Sequence, residues 1–357
     1  MYKLHNFDWT LFFIFLALAL AGLVAMLGIG DAAKQFFAKQ SFFLVVGAIF
    51  VFLISLFDYR IFKNHSLPSV IIYLACVLLL FASLASKSIR GINAWISIGS
   101  FRLEPSEFAK IAIIILLAKY FSQKHVEIYR VHHIIASGIY VAIPALLVLK
   151  QPDLGSAFIF FVIWFSMLLV AGIKRKHLLT ILLVGILVAL VAWLGFLHPY
   201  QKNRVISFLN PYLDPKGEGY SIIQSKIAIG SGSLWGNGFG KGTQSSFGFL
   251  PEAHTDFAFA AFAEQFGFVG ILGLFTLLLL LLFRIGKIGF GLRNNFAKLF
   301  SVGMIAFIFS HVVVNAGMNL GLLPITGIPF PFLSYGGSFL VSVSLGIGLL
   351  ESIKIRS

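Results

Sequence analysis

Apolar residues occur along this chain in long runs that are separated by short polar segments. Ten runs can be read as helices that cross a hydrocarbon core of about 30 Å. They cover residues 9–29, 41–57, 68–85, 108–121, 134–149, 154–172, 177–197, 257–283, 298–321 and 332–351. The fourth and fifth runs are short, so we expect them to be tilted or extended by their polar flanks. The pattern predicts an all-α integral membrane protein with ten transmembrane helices.

Composition agrees with this interpretation. Hydrophobic residues make up 59% of the chain and charged residues 11%, whereas soluble domains have roughly 25% charged residues. The runs follow one another without an internal repeat, so we expect residues 1–357 to form a single polytopic membrane domain. More spans follow the first run, which favours a retained helix over a cleaved signal peptide.

The net charge of +14 predicts topology instead of nucleic-acid binding, because Lys and Arg occur in clusters between the apolar runs. With the N-terminus inside, the cytoplasmic segments hold 15 basic and four acidic residues, a stronger positive bias than on the other side. This bias favours cytoplasmic N- and C-termini in the cytoplasmic (inner) membrane. It places the long loop 198–256 outside, and the interleaved apolar residues of this loop predict a structured, functional segment.

Familiar cofactor motifs are absent. The Gly-rich run 236–242 contains Lys241 but lacks the phosphate-loop pattern, and the histidines have no spacing typical of a metal site. Cys76 is the single cysteine, so no intramolecular disulfide can form. We therefore expect no firm cofactor, with a divalent cation (Mg or Mn) as an open possibility.

Asp256 is the first candidate for chemistry, because it lies where the long loop meets the eighth run. A partly desolvated carboxylate there can act as a general base toward a hydroxyl. Thr255 or Asp256 would also make a good N-cap for the following helix. Both interpretations remain open at this point.

Glu107 and Lys110 are the second candidates, since their i, i+3 spacing puts them on one face of the fourth helix. They form either a structural ion pair or a functional pair at membrane depth. Arg90, Trp95 and Arg102 precede them in an outer loop, where an aromatic ring and two guanidinium groups could hold a sugar and a diphosphate.

Other polar positions carry weaker predictions. Asp153 lies in a tight turn and fits a capping role. Arg204, with Lys202 and Lys226, lies in the long loop and would contact an anionic substrate or simply be solvated. The Pro- and Gly-rich segment 321–338 predicts irregular backbone that lines a site, because such backbone needs burial in protein or a cavity.

Five ordered motifs resemble the SEDS proteins, the family of shape, elongation, division and sporulation, over essentially the whole chain. They are PSEFAK at 105–110, QPDLG at 151–155, GYSIIQSK at 219–226, LPEAHTD at 250–256 and the segment 324–338. Within the family, QSKIAIGSG from Gln224, GTQS at 242–245 and Thr326 resemble the elongation branch more than the division branch. Phe339 departs from the family pattern, which usually has a small residue there.

The resemblance implies a peptidoglycan glycosyltransferase that polymerises lipid II. It also implies a class B penicillin-binding protein as transpeptidase partner, together with other membrane proteins of the elongation complex. The essential aspartate of the family falls on Asp256, and its conserved Glu and Lys fall on Glu107 and Lys110. We expect Arg102, Trp95, Arg204, His254 and Thr255 to contribute to substrate binding.

Two other functions stay open from the sequence alone. A transporter could flip the lipid-linked precursor, although such a protein should expose polar groups at both faces. A non-catalytic scaffold could position a synthase partner, with the charged residues in structural roles. No nucleotide motif is present, so an enzyme on the outer face would need an activated donor already carried in the membrane.

Overall fold

The computed structural model describes residues 6–86, 93–99, 101–124, 130–197, 199–215 and 217–356, and they are almost entirely helical. The helices are α1 (Trp9–Leu27), α2 (Asp31–Leu56), α3 (Arg60–Asn64), α4 (Leu67–Leu84), α5 (Pro105–Lys124), α6 (Val131–Lys150), α7 (Leu154–Ala171), α8 (Arg175–Val191), α9 (Pro199–Leu209), α10 (Glu218–Ser231), α11 (Thr243–Ser246), α12 (Ala258–Phe290), α13 (Asn295–Asn319) and α14 (Gly337–Ile355). A π-helical turn, Ala192–Phe196, continues α8, and a 3-10 turn, Pro211–Leu213, follows α9.

Nine helices within the described ranges are long and apolar enough to cross a membrane. They contain nine of the ten predicted runs, namely α1, α2, α4, α6, α7, α8, α12, α13 and α14. The remaining run, 108–121, lies in α5, a 20-residue helix with several charged side chains that is buried along most of its length. The all-α membrane architecture is confirmed, and a tenth span at α5 stays a prediction.

α13 lies at the centre of the bundle and α8 at its edge. Twenty of the 25 residues of α13 are buried, and it packs against α5, α7 and α12. α8 has no buried residue, although its sequence is strongly apolar. In a bilayer such a surface faces lipid tails, so the exposure of α8 is compatible with a stable fold.

α12 is broken near its N-terminal end. Gly267 has φ 65° and ψ −165°, values that no helix allows. The backbone groups freed by the break bind the Gly-rich part of the long loop, since Asn237 N–H donates to Glu264 O (2.9 Å) and Phe268 N–H donates to Ser233 O (2.9 Å). A Cβ atom on Gly236 would lie 2.1 Å from Gln265 O, so glycine permits this close approach.

A short hairpin stands before α5. Strands β1 (Ile96–Ile98) and β2 (Phe101–Leu103) pair antiparallel, with Ser97 opposite Arg102. Phe101 stacks on Phe42 of α2 at 5.2 Å between ring centroids. The apolar runs did not predict this hairpin, because each strand is only three residues long.

The connection between α13 and α14, residues 321–336, has no regular secondary structure, and most of its residues are buried or half-buried. It approaches α1 closely, since a Cβ atom on Gly22 would lie 2.1 Å from Phe332 O. Phe332 has φ 66°, a left-handed conformation that is unusual for a bulky residue and is found at functional sites. The expectation of buried irregular backbone in this region is confirmed.

Candidate active site

The residues before α12 form consecutive turns, here called the Asp256 turn (residues 250–257), and these turns pack against the α13–α14 connection. Tyr335 N–H donates to His254 O (2.8 Å), and the Ser334 hydroxyl donates to Thr255 O (2.5 Å). Two successive carbonyl groups are thus held by two successive residues of the connection. The LPEAHTD and Pro/Gly-rich motifs, about 80 residues apart in the sequence, form one structure.

The carbonyl of Asp256 is held from the other side by α13. The Asn315 and Asn319 side chains each donate to it at 3.0 Å. Asn315 also donates to Ile328 O (2.7 Å), which links the Asp256 turn to the α13–α14 connection a second time. Three carbonyls in a row are therefore fixed by neighbouring segments, and the Asp256 side chain, half-buried, projects from a backbone with little freedom.

The expectation that Thr255 or Asp256 caps α12 is wrong. The N-cap position is Phe257, and the Thr255 hydroxyl donates instead to Glu252 Oε2 (3.0 Å). The Ala260 amide in the first turn donates to Asn319 Oδ1 (3.2 Å), so α13 supplies a cap that the local sequence pattern assigned to the turn. The role of Asp256 as a general base stays a prediction.

His254 is also placed by aromatic contacts. Its ring stacks on Phe36 of α2 at 4.1 Å between centroids, and Phe36 contacts Tyr335 edge-on at 5.0 Å. Gln40, one turn further along α2, accepts from Gly336 N–H (3.3 Å). Residues in the N-terminal part of α2 therefore contact both the Asp256 turn and the α13–α14 connection.

Glu107 and Lys110 form the predicted ion pair, with 2.8 Å between Lys110 Nζ and Glu107 Oε1. Both side chains are essentially fully buried. Lys110 Nζ also lies 3.3 Å from His311 Nε2, and His311 Nδ1 lies 3.3 Å from Pro329 O. The pair is thereby linked through His311 to Pro329 of the α13–α14 connection. Its role in substrate binding stays a prediction.

A group of carboxylates surrounds the start of α5. Burial, together with the nearby charges of Glu107 and Asp153, raises the pKa of Glu104 to about 8, although Lys110 opposes the shift. The Ser106 hydroxyl donates to Glu104 Oε1 (2.9 Å). Asp153 accepts from Ser156 N–H (2.9 Å) and is the N-cap of α7, so its predicted capping role is confirmed.

Arg102 and Trp95 belong to the hairpin. Arg102 is exposed on β2, and its guanidinium acts on the pKa of Tyr335, which burial raises and this positive charge lowers. The Arg102 carbonyl accepts from the Ser338 hydroxyl (3.5 Å), so β2 adjoins the start of α14. Trp95 is half-buried just before β1, and Arg90 lies outside the described residues.

Arg204 lies on α9, away from the Asp256 turn, and pairs with Glu218 at 3.1 Å. It lines a cavity of about 280 Å³, here called the side cavity, together with Tyr200, Gln201, Pro324 and Thr326. The side cavity borders a larger apolar groove of about 1090 Å³ between α4, α6 and α8, and Leu154 and Gln201 line both. Arg204 thus reaches the α13–α14 connection from the side of the groove.

Metal ligation finds no support in the described residues, which contain no group of three or more His, Cys, Asp or Glu side chains able to hold an ion. The carboxylates near α5 have Lys110 among them, which repels a cation. The described side chains therefore do not fit a divalent-cation site, and we derive no step through one.

Several residues of the site were not predicted. His311, Asn315 and Asn319 are fully buried and recur every four residues along α13, which places them on one face. Their spacing within an apolar run was the available signal. Glu264 is also fully buried, and it accepts from Gln244 N–H (2.7 Å), Ser245 N–H (2.9 Å) and the Ser245 hydroxyl (2.7 Å).

The family model described as cell cycle protein, covering FtsW, RodA and SpoVE, matches residues 4–357. The chain belongs to this family. Its members are also called SEDS proteins, so the resemblance carried by the five motifs is confirmed.

Relatives within the FtsW/RodA/SpoVE family are similar over most of their length. The peptidoglycan glycosyltransferase MrdB of Escherichia coli (strain K12) is 39% identical over 79% of this chain and 76% of its own. The peptidoglycan glycosyltransferase RodA of Treponema pallidum is 31% identical over 98% of both chains. Stage V sporulation protein E of Bacillus subtilis is 38% identical over 89% of this chain and 87% of its own.

Two solved structures share the fold. A chain from a peptidoglycan synthase complex, described as coordinating polymerization and crosslinking, matches with a TM-score of 0.83 at 30% identity, covering 98% of this chain and 97% of its own. The rod shape determining protein RodA of Thermus thermophilus matches with a TM-score of 0.73 at 29% identity, covering 98% and 96%. The membrane fold is therefore the family fold.

Proposed function

We propose that this chain is a peptidoglycan glycosyltransferase that polymerises lipid II, an undecaprenyl-diphosphate-linked disaccharide pentapeptide, during cell elongation. Relatives that cover most of the chain carry the name peptidoglycan glycosyltransferase. The observation that carries the proposal is the Asp256 turn, whose backbone is fixed from two sides while α12 takes its cap from Asn319. Such a carboxylate is pre-oriented for proton transfer.

The reaction is an inverting displacement. The Asp256 carboxylate takes the proton from the acceptor hydroxyl of one lipid-linked saccharide as that oxygen bonds to the anomeric carbon of another. The bond from this carbon to the diphosphate oxygen breaks, and the undecaprenyl diphosphate leaves with the electron pair. Arg102 is exposed beside the α13–α14 connection and would neutralise charge on the leaving group.

The apolar groove is the proposed path of one lipid chain. Its lining is almost wholly aliphatic, with residues such as Leu78, Leu146 and Val188. The side cavity continues from the groove toward the α13–α14 connection and presents Arg204 and Tyr200. An isoprenoid in the groove would place its diphosphate near this guanidinium, and a guanidinium suits phosphate recognition.

Glu107 and Lys110 are proposed to support the site indirectly, through contacts with the α13–α14 connection. Lys110 is fully buried, so direct contact with a diphosphate would require the α13–α14 connection to move. In the arrangement described, its ammonium holds His311 and through it Pro329. We therefore propose that the Glu107–Lys110 pair fixes the position of the α13–α14 connection, with Glu107 orienting Lys110.

The topology is part of the proposal. The charge bias favours cytoplasmic termini, which puts the Asp256 turn and the side cavity on the outer face of the cytoplasmic membrane. A transpeptidase of the penicillin-binding protein class is the proposed partner, and the similarity to a chain from a peptidoglycan synthase complex supports it.

The test is polymerisation of labelled lipid II by the purified chain, with and without its transpeptidase partner. Asp256→Ala is expected to lower the rate by about 10²–10⁴-fold, the usual contribution of a general base. Asp58→Asn is the matched control, because Asp58 lies at the predicted cytoplasmic end, where it pairs with Arg356 at 3.7 Å. A wild-type rate for Asp256→Ala would refute the assignment of Asp256 as the general base.

The same preparation separates the alternatives. Flipping of lipid II in proteoliposomes without glycan growth would support a transporter. No polymer in the presence of the partner, together with an unaltered partner activity for Asp256→Ala, would support a scaffold. Polymer that depends on Asp256 supports the glycosyltransferase.

A further inference from the structure

The first turn of α12 is capped by a side chain that is distant in the sequence. The first amides of a helix lack partners within it, and an aspartate just before a helix commonly accepts from them. An aspartate used in that way has its carboxylate turned toward the backbone. In α12 the first-turn amide of Ala260 donates instead to Asn319 Oδ1 (3.2 Å), a side chain from the end of α13.

Asn319 engages both ends of this turn. Its Oδ1 faces Ala260, and its Nδ2 donates to Asp256 O (3.0 Å) and to Asn315 O (2.9 Å). Its own carbonyl accepts from the Ser225 hydroxyl of α10 (2.8 Å). The side chain is fully buried, so water cannot replace it as the partner of these groups.

Asn315, one turn earlier, shares only half of this role. It donates to Asp256 O (3.0 Å) and to Ile328 O (2.7 Å), but it makes no contact with the first-turn amides of α12 among the described residues. Asn315 thus holds the carbonyl, whereas Asn319 holds the carbonyl and caps the helix. The two side chains also touch, since Asn319 Nδ2 donates to Asn315 Oδ1 (3.0 Å).

We propose that Asn319 is a positioning residue that caps α12 in place of Asp256 and so keeps the Asp256 carboxylate directed toward the acceptor hydroxyl. The inference rests on the proposed function, in which Asp256 is the general base. Asn319 contacts neither substrate nor the reacting atoms, and it acts through the backbone of residues 256–260.

Removing the cap has a definite consequence. Without Asn319 Oδ1, α12 can begin one residue earlier with Asp256 as its N-cap. The carboxylate then accepts backbone hydrogen bonds, which favour its charged form and lower its pKa. It also turns away from the acceptor, so proton transfer slows while substrate binding is little changed.

The experiment compares Asn319→Ala with wild type in full-length protein, measuring lipid II polymerisation over a range of pH. We expect kcat to fall at least tenfold, KM to stay within about twofold, and the acid limb of the kcat profile to move down by about one pH unit. The titratable and charged groups on the surrounding described segments include Glu252, His254, His311, Tyr335, Lys39, Arg102 and Lys226, and the substitution leaves all of them in place.

Two further variants give the result its meaning. Asn315→Ala should lower kcat without moving the acid limb. Asn319 loses Asn315 Oδ1 but keeps its bonds to Asp256 O and to the backbone carbonyl of residue 315, so the cap remains. Asn294→Ala removes the N-cap at the opposite end of α13, where Asn294 accepts from Phe296 N–H (3.1 Å). It should lower thermal stability and leave both kcat and the acid limb unchanged. A shift of the limb in Asn294→Ala equal to that in Asn319→Ala would overturn the inference.

Folding defects are handled by a milder change. Asn319→Gln keeps a buried amide but displaces its oxygen by one methylene, and it should shift the acid limb in the same direction. Hydrogen exchange of residues 258–261 should quicken in both Asn319 variants. Unchanged exchange and an unchanged acid limb in a folded Asn319 variant would overturn the inference.

The proposed function fails separately. Asp256→Ala at wild-type rate would overturn the base and, with it, the role of Asn319. An inactive Asp256→Ala beside an Asn319→Ala with wild-type kcat and profile would overturn the positioning role alone.

Discussion

α13 and α8 are both apolar enough to cross a membrane, yet they are opposite in what surrounds them. α13 is mostly buried and carries His311, Asn315 and Asn319 on one face, each bound to neighbouring backbone or side chains. α8 has no buried residue and borders the apolar groove through residues such as Leu187 and Val188. Hydropathy alone does not distinguish a helix that fixes a site from one that adjoins lipid.

The difference teaches where substitutions should matter. Around α13, volume and polar partners are fixed by packing, so changes there should alter folding and the site together. On α8, the environment is fluid, so changes should leave folding alone and affect only what occupies the groove.

Loss of the Lys110 charge, next to the buried face of α13, should lower the stability of the protein the most. Lys110→Met leaves the Glu107 carboxylate buried without its ion-pair partner, which typically costs about 3–5 kcal/mol. Thermal unfolding in detergent should show a large drop in stability. The double variant with Glu107→Gln should recover much of the loss, and a double variant no more stable than Lys110→Met would contradict the ion-pair explanation.

Gly303 on α13 and Gly185 on α8 form a matched pair. A Cβ atom on Gly303 would lie 2.6 Å from Ile114 Cγ2, whereas one on Gly185 would meet no atom within 4 Å. Gly303→Ala should cost about 1–3 kcal/mol through overpacking, and Gly185→Ala should be neutral or slightly stabilising. Thermal unfolding of the two variants side by side checks this, and equal destabilisation would break the comparison.

Glu104 gives a pH dependence with a definite sign. Its pKa is about 8 in the folded protein, above the ordinary value of 4.5, so the native state holds a proton that the unfolded state releases. The associated stability is present below about pH 4.5 and is lost as the pH rises through about 8. Glu104→Gln should weaken the pH dependence of the unfolding midpoint between pH 5 and pH 9. A wild-type midpoint that rises across this range would contradict the burial of Glu104.

The smallest effect on stability is expected on α8. Leu187→Trp narrows the apolar groove, and Leu183→Trp changes an equally exposed residue that does not line it. Both should unfold within about 0.5 kcal/mol of wild type. Only Leu187→Trp should raise KM for lipid II, and a similar KM in both variants would exclude the groove as a lipid site.

The sequence predicted the spans well because long apolar runs have few alternatives. The predicted run 68–85 compares with α4 at Leu67–Leu84, and the short run 108–121 was extended by its polar flanks to Pro105–Lys124. The break at Gly267 was not predicted, since it depends on loop backbone contributed by residues 233–238.

In the candidate site, a pairing within one helix could be predicted from the sequence, whereas contacts between distant segments could not. The Glu107–Lys110 pair follows from spacing along one helix, and the structure contains it. The cap of α12 did not follow from the local pattern, because Asn319 is 59 residues from Ala260 and is brought next to it only by tertiary packing. Local rules assign a role to the nearest suitable residue, and they fail where a distant one is buried against the same group.

The fixed carbonyls of His254, Thr255 and Asp256 have a consequence for repeated synthesis. An enzyme that adds one unit after another must orient its base anew at every addition unless the orientation is already built in. Asp256 is the proposed base, and the backbone beneath it is ordered once, during folding, by groups that belong to the protein. Only two side-chain torsions remain to be set, so the entropy of alignment is not lost again as the glycan strand lengthens.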